Sequence, residues 1–98
     1  MRTVYKYEFP IEESFSQPTA RIFKILRVTP KANDIGTIDG FTVWAEVDSD
    51  IQETNNFYTV GTGSPIPLYT KYCGTIDAGV FVWHLYMYDQ ERANLRMR

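Results

Sequence analysis

The sequence predicts a mainly β protein: one small antiparallel sheet, a barrel or sandwich of about six strands, with a short C-terminal helix. Three observations carry this. Segments such as Phe41–Val47 (FTVWAEV) alternate apolar and polar residues with the period of two that a half-buried strand requires. No strand-like segment is followed by a long helical one, so a parallel α/β layout is excluded. Aromatic residues make up 15% of the chain, and seven of them are tyrosines; sheets and interfaces favour such side chains. At 98 residues the chain is expected to be one domain, residues 1–98, burying about two-thirds of its unfolded surface in one core.

Each element follows from local pattern. Thr3–Phe9 (TVYKYEF) points Tyr5, Tyr7 and Phe9 inward and Val4, Lys6 and Glu8 outward, and Pro10 ends it. Ile11–Thr19 reads as a loop with one helical turn at Ser14–Gln17. Ala20–Thr29 (ARIFKILRVT) alternates less cleanly. Phe23 and Ile25 share a face with Arg21 and Arg27, and Ile22, Lys24, Leu26 and Val28 share the other. Ile22, Phe23 and Leu26 also fit a helical stripe, but the β-branched content and Pro30 favour a strand. Pro30–Gly40 is a polar hairpin connector. Phe41–Val47 is the cleanest strand, with Phe41, Val43, Ala45 and Val47 on one face. Asp48–Asn56 reads as an acidic turn, and Phe57–Gly63 returns as a strand. Ser64–Tyr72 holds two prolines and is expected to be a loop hugging the sheet. Tyr72–Asp77 is a short strand, Ala78-Gly79 a tight turn, and Val80–Asp89 the last strand. Both faces of that strand are apolar, which predicts a central position covered on both sides.

Composition narrows function. The net charge is −2, so no broad cationic field exists and bulk nucleic acid is excluded as a partner. The tail ERANLRMR (Glu91–Arg98) is locally basic and reads as a solvated or partner-docking end. The single cysteine, Cys73, excludes an internal disulfide and fits a reducing cytosol. There is no run of about 20 apolar residues to span a membrane, and no signal peptide. One histidine, one cysteine and scattered acids make no metal constellation, and no cofactor is implied. His84, inside an apolar strand, reads as an imidazole satisfied by a hydroxyl or carbonyl. Cys73 reads as a small buried residue.

The motif that draws a functional reading is Gly61-Thr62-Gly63-Ser64. It lacks the lysine of a P-loop and the third glycine of a dinucleotide fingerprint. Its glycines would still allow backbone N–H groups to converge on an anion, with Thr62 and Ser64 adding hydroxyls. The alternative is a β-bulge and proline turn by which the chain leaves the sheet. Tyr58, Tyr69 and Trp44 are the candidate stacking rings for a flat base. Arg27 and Lys71 are the candidate charge partners.

Five segments, in order, carry a resemblance: YKYEFPI (Tyr5–Ile11), WAEVD (Trp44–Asp48), GTGSPIP (Gly61–Pro67), YCGT (Tyr72–Thr75) and VWHLY (Val82–Tyr86). Together the chain resembles a family of small phage-encoded proteins of uncharacterised function that carry a GTGxPIP motif. It departs from that pattern in a longer loop after Pro30 and in the basic tail after Tyr88. The resemblance implies a viral setting, the host cytoplasm, and by analogy a role against host defence. Three readings follow. The first is a non-catalytic protein, expected to be a homo-oligomer, that sequesters a small nucleotide-like signalling molecule. The second is an inhibitor that coats a host defence protein. The third is a phosphodiesterase acting through His84.

Overall fold

The computed structural model describes residues 1–96. Its elements are β1 (Arg2–Pro10), β2 (Ser14–Ala32), β3 (Ile38–Gly61), β4 (Thr70–Ala78), β5 (Phe81–Tyr88) and α1 (Gln90–Arg96). All strand pairings are antiparallel. The spine is β3, 24 residues long. Along one edge it pairs with β2, from Ser14 opposite Tyr58 to Ala32 opposite Ile38. Its first half pairs with β1. Its C-terminal end pairs with β5, from Phe57 opposite Met87 to Gly61 opposite Trp83. Beyond β5 lies β4, and the order β1-β3-β5-β4 leaves the sheet unclosed.

A bend in the spine makes this one sheet into a sandwich. Ala20 lies opposite Gln52, but the next residue of β2, Arg21, lies opposite Asp48. Ser49–Ile51 therefore have no partner in β2 and bulge out, which sharply bends a ribbon. The Asp50 N–H donates to the Asp48 carboxylate at 3.0 Å within this bulge. The two halves then face each other. Phe9, Phe41 and Val43 from the first half pack with Phe57, Ile76, Leu85 and Met87 from the second. At the crease, Asn55 Nδ2 donates to Thr19 Oγ1 at 2.7 Å, the Thr19 hydroxyl donates to the Ala20 carbonyl at 2.7 Å, and the Ala20 N–H donates to Tyr7 Oη at 3.0 Å. These bonds satisfy polar groups that burial would otherwise penalise.

Several sequence expectations change here. There are five strands, not six, because Phe41–Val47 and Phe57–Gly61 are parts of one strand. Asp48–Asn56 does not reverse the chain; the bulge bends it within β3. Ile11–Thr19 is not a loop with a helical turn, since β2 already begins at Ser14. Pro18 is tolerated there because the outer edge of β2 has no strand partner. In Ala20–Thr29 the alternation fails. Register shifts between Ile22 and Lys24 and between Ile25 and Arg27 each insert one residue. Ile22, Ile25 and Val28 all pack on the core, while Phe23 and Leu26 are exposed. That three-residue spacing is what imitates a helical stripe. Finally, β5 lies between β3 and β4 but is covered on one face only: Leu85 and Met87 are buried, and His84, Tyr86 and Tyr88 are half-buried.

The cleanest strand is buried as expected, whereas Tyr5, expected to point inward with Tyr7 and Phe9, is exposed. Phe41, Val43, Ala45 and Val47 are fully buried. Asn33 Oδ1 accepts from the N–H groups of Ile35 and Thr37 to close the β2–β3 hairpin. Asp89 caps α1 by accepting from the Glu91 N–H at 3.1 Å. Met97 and Arg98, the end of the basic tail, lie outside the described residues.

Candidate functional site

Gly61-Thr62-Gly63-Ser64 forms a β-turn at the end of β3. The Ser64 N–H donates to the Gly61 carbonyl at 3.0 Å. Gly63 has φ +91° while Thr62 does not have a positive φ, the signature of a type II turn. A Cβ on Gly63 would meet nothing within 4 Å, so that corner faces open space. A Cβ on Gly61 would sit 3.4 Å from the Trp83 ring. The first glycine is thus packed and the second is conformational.

The turn is tied to the sheet by a chain of hydroxyls. Thr62 Oγ1 bonds His84 Nε2 at 2.9 Å, and Thr75 Oγ1 bonds His84 Nδ1 at 2.9 Å. The Tyr72 hydroxyl bonds Thr75 in turn. Strand register explains the grouping. Tyr58, Tyr86 and Tyr72 form one cross-strand row, and Val60, His84 and Thr75 form the next. Their neighbours in sequence, Phe57, Leu85 and Met87, point into the core, so these rows lie on the outer face. The Tyr72 and Tyr86 rings meet edge-on with centroids 5.6 Å apart.

Two hollows adjoin the turn. The larger, ≈ 800 Å³, lies between Ile11–Ser14 and Ser64–Pro67, with Tyr58–Gly61 as its floor and Trp83 on its wall. The smaller, ≈ 200 Å³, lies among Thr62, Gly63, Ile66, His84 and Tyr86. The charged residues lining the larger hollow are Glu12 and Glu13; neither hollow is lined by a lysine or arginine.

Of the nine residues expected at the site, Gly61, Thr62, Gly63, Ser64 and Tyr58 come together. Trp44 does not. It lies in the first half of β3, beyond the bend, with the Arg27 guanidinium 5.5 Å from its ring centroid. Arg27 is therefore committed there. Tyr69 and Lys71 sit at the far end of β5: Thr70 pairs with Tyr88, whereas Gly61 pairs with Trp83, a separation of roughly 17 Å at strand rise. Tyr69 has φ 60° and its carbonyl accepts from the Asp89 N–H at 2.7 Å, so it serves as the joint before β4. Lys71 lines a different cleft with Glu53 and Asp89. The expected stack with its two cations does not assemble: the crease separates Trp44 and Arg27 from the turn, and the length of β5 separates Tyr69 and Lys71 from it.

Sequence reasoning missed Tyr86, Glu12 and Glu13 at the site. Tyr86 follows His84 at the i+2 spacing of a shared strand face, a signal present in the sequence. Glu12 and Glu13 were hidden because their placement depends on where β2 begins.

Residues 1–96 match the family model of a domain of unknown function, DUF7352. The chain belongs to that family. No curated protein and no solved structure matches it. DUF7352 carries no assigned chemistry, so the function must be argued from the site. Among the described residues no three or more His, Cys, Asp or Glu side chains cluster to hold a metal, and no helix is long and apolar enough to cross a membrane. Burial pushes the Cys73 thiol up to about 12, which suppresses the reactive thiolate at neutral pH. The floor of the larger cleft contains one orphan: Thr59 Oγ1 is buried without a hydrogen-bond partner.

Proposed function

We propose that this DUF7352 protein is a non-catalytic binding module that engages a protein partner through the outer face of β3, β5 and β4. The observation that supports this best is the Tyr58–Tyr86–Tyr72 row beside His84. Tyrosines held by a sheet present rigid amphipathic area at small entropic cost, the property that enriches them in interfaces. Val82, two residues before His84 on the same strand face, and Val80 extend the exposed apolar surface towards the tip of the β4–β5 hairpin. The viral setting implied by the family resemblance makes a host defence protein the partner class we favour.

The nucleotide-capture reading keeps its turn but loses its cations. Arg27 is occupied by Trp44, Lys71 lies in another cleft, and the larger hollow beside the turn carries two carboxylates. A multiply charged phosphate ligand would be desolvated there against like charge. The phosphodiesterase reading needs a base oriented by an acid, whereas both His84 ring nitrogens contact threonine hydroxyls.

Two assays on the purified protein test this. Immobilised protein should retain a stoichiometric partner from host lysate. Gly63→Asp should preserve that retention, and Tyr72→Ser with Tyr86→Ser should abolish it. A thermal upshift with cyclic dinucleotides or ADP-ribose derivatives that Gly63→Asp removes would overturn the proposal in favour of nucleotide capture.

A further inference from the structure

The exposed aromatics of the first half and the cleft aromatic of the second are treated differently by the chain. Phe23, on the surface of β2, lies under the Arg2 guanidinium, 4.1 Å from its centroid, and that guanidinium also bonds the Glu46 carboxylate. Trp44 lies under Arg27. A guanidinium over a ring thus occurs twice on this surface, and in the Phe23 case a carboxylate completes the unit by charge as well as cation–π attraction.

The cleft between Ile11–Ser14 and Ser64–Pro67 holds two parts of that unit. Trp83 supplies the ring, with Phe81 stacked on it at 5.3 Å. Glu12 and Glu13 supply carboxylates, and neither forms an ion pair among the described residues. Among the described residues no guanidinium covers Trp83. The rest of the lining is apolar or small: Ile11, Val60, Ile66 and the two prolines. The ladder also stops here. The Thr59 backbone N–H donates to the Glu13 carbonyl at 3.1 Å, and the register with β2 ends at Tyr58 opposite Ser14, so Val60 and Gly61 have no β2 partner. The volume, ≈ 800 Å³, suits a few side chains and not a domain.

We propose that this cleft receives an arginine-bearing apolar segment of the protein partner, with the guanidinium held by the Trp83 ring and the Glu12 and Glu13 carboxylates. The inference rests on the protein-binding reading and names the chemistry of the segment. It assigns Trp83, Glu12 and Glu13 to recognition of a cation and Ile11 and Ile66 to its apolar neighbours.

The probe is an acetylated, amidated peptide, Leu-Arg-Val-Arg-Leu, titrated into ¹⁵N-labelled full chain while the Trp83 indole N–H resonance is followed. Saturable movement of that resonance is expected. Replacing both arginines by citrulline, which keeps the shape and removes the charge, should weaken binding about tenfold or more, as should Glu12→Gln with Glu13→Gln. Those two glutamates are exposed, so the double variant should keep the thermal midpoint of the parent. Equal affinity for the citrulline peptide, or no saturable shift, overturns the proposal. Self-association that moves the Trp83 signal without peptide assigns the cleft to a second copy and also overturns it. Loss of capture with Tyr72→Ser and Tyr86→Ser, against intact peptide binding, separates this outcome from failure of the broader reading.

Discussion

The two halves of β3 are one strand with two different surroundings. In the first half, Phe41, Val43, Ala45 and Val47 are fully buried, and the strand is flanked by β1 and β2 on its two edges. In the second half, Phe57 is buried, but Tyr58 belongs to an outer row of half-exposed tyrosines, and the β2 edge is abandoned after Tyr58. The first half spends its side chains on the core. The second keeps one face for the core and leaves the other, with its unpaired end, facing outward, the face we propose for a partner. On that proposal, stability and recognition are separable along a single strand.

The sharpest way to break that comparison is Phe41→Ala. Removing a fully buried ring should cost about 3–5 kcal/mol in denaturant unfolding, whereas Tyr72→Ala, on a residue 57% exposed, should cost about 0.5–1 kcal/mol, chiefly its edge contact with Tyr86. Comparable losses would show that the tyrosine row is structural. Next is Gly74→Ala, which tests contact between the halves. Its Cβ would fall 2.6 Å from Val28 Cβ, so overpacking of about 1–3 kcal/mol is expected. A Val28→Ala partner should recover part of it in a double-mutant cycle. Thr59→Val runs the other way. It removes the unpartnered hydroxyl while keeping the shape, and should raise stability by about 1 kcal/mol. A fall instead would reveal a bond that water supplies.

The smallest effect concerns Cys73. Its folded pKa, raised to about 12 by burial, exceeds the ordinary 9.0. Its contribution to stability is complete below pH 9, where both states hold a neutral thiol, and is lost as pH rises from there through about 12. Iodoacetamide labelling at pH 8 should therefore be slow in the native protein and should track unfolding. Rapid labelling without unfolding would contradict the burial of this thiol.

Much of the fold was legible because period-two patterning survives wherever a strand is regular, as in Thr3–Phe9 and Phe41–Val47. It failed where the strand is irregular. The bulges in β2 shifted Ile22, Ile25 and Val28 to a spacing no alternation rule detects, and the acidic Asp48–Asp50 segment has the composition of a turn although it only bends the chain. The site was half legible for a related reason. Gly61–Ser64 and Tyr58 are close in sequence and stay close in space. Trp44, Arg27, Tyr69 and Lys71 were grouped on an assumed meander, and long-range register is not written in local pattern. The same register, once known, places Tyr72 beside Tyr86 and Glu13 beside Thr59.

The crease at Ser49–Ile51 also bears on the order of assembly. A ribbon zipping outward from the Asn33–Thr37 connection gains its nearest contacts first and must cross the interruption before Ser14 can reach Tyr58, a pairing 44 positions apart in the chain. β5 joins the opposite edge of β3 through pairs closer in sequence, such as Gly61 with Trp83, and does not depend on that closure. The Ser14 end of the β2–β3 ladder should thus acquire amide protection after Val43 and Ala45 in pulsed hydrogen exchange, so that the hollow beside Ile11–Ser14 takes shape late.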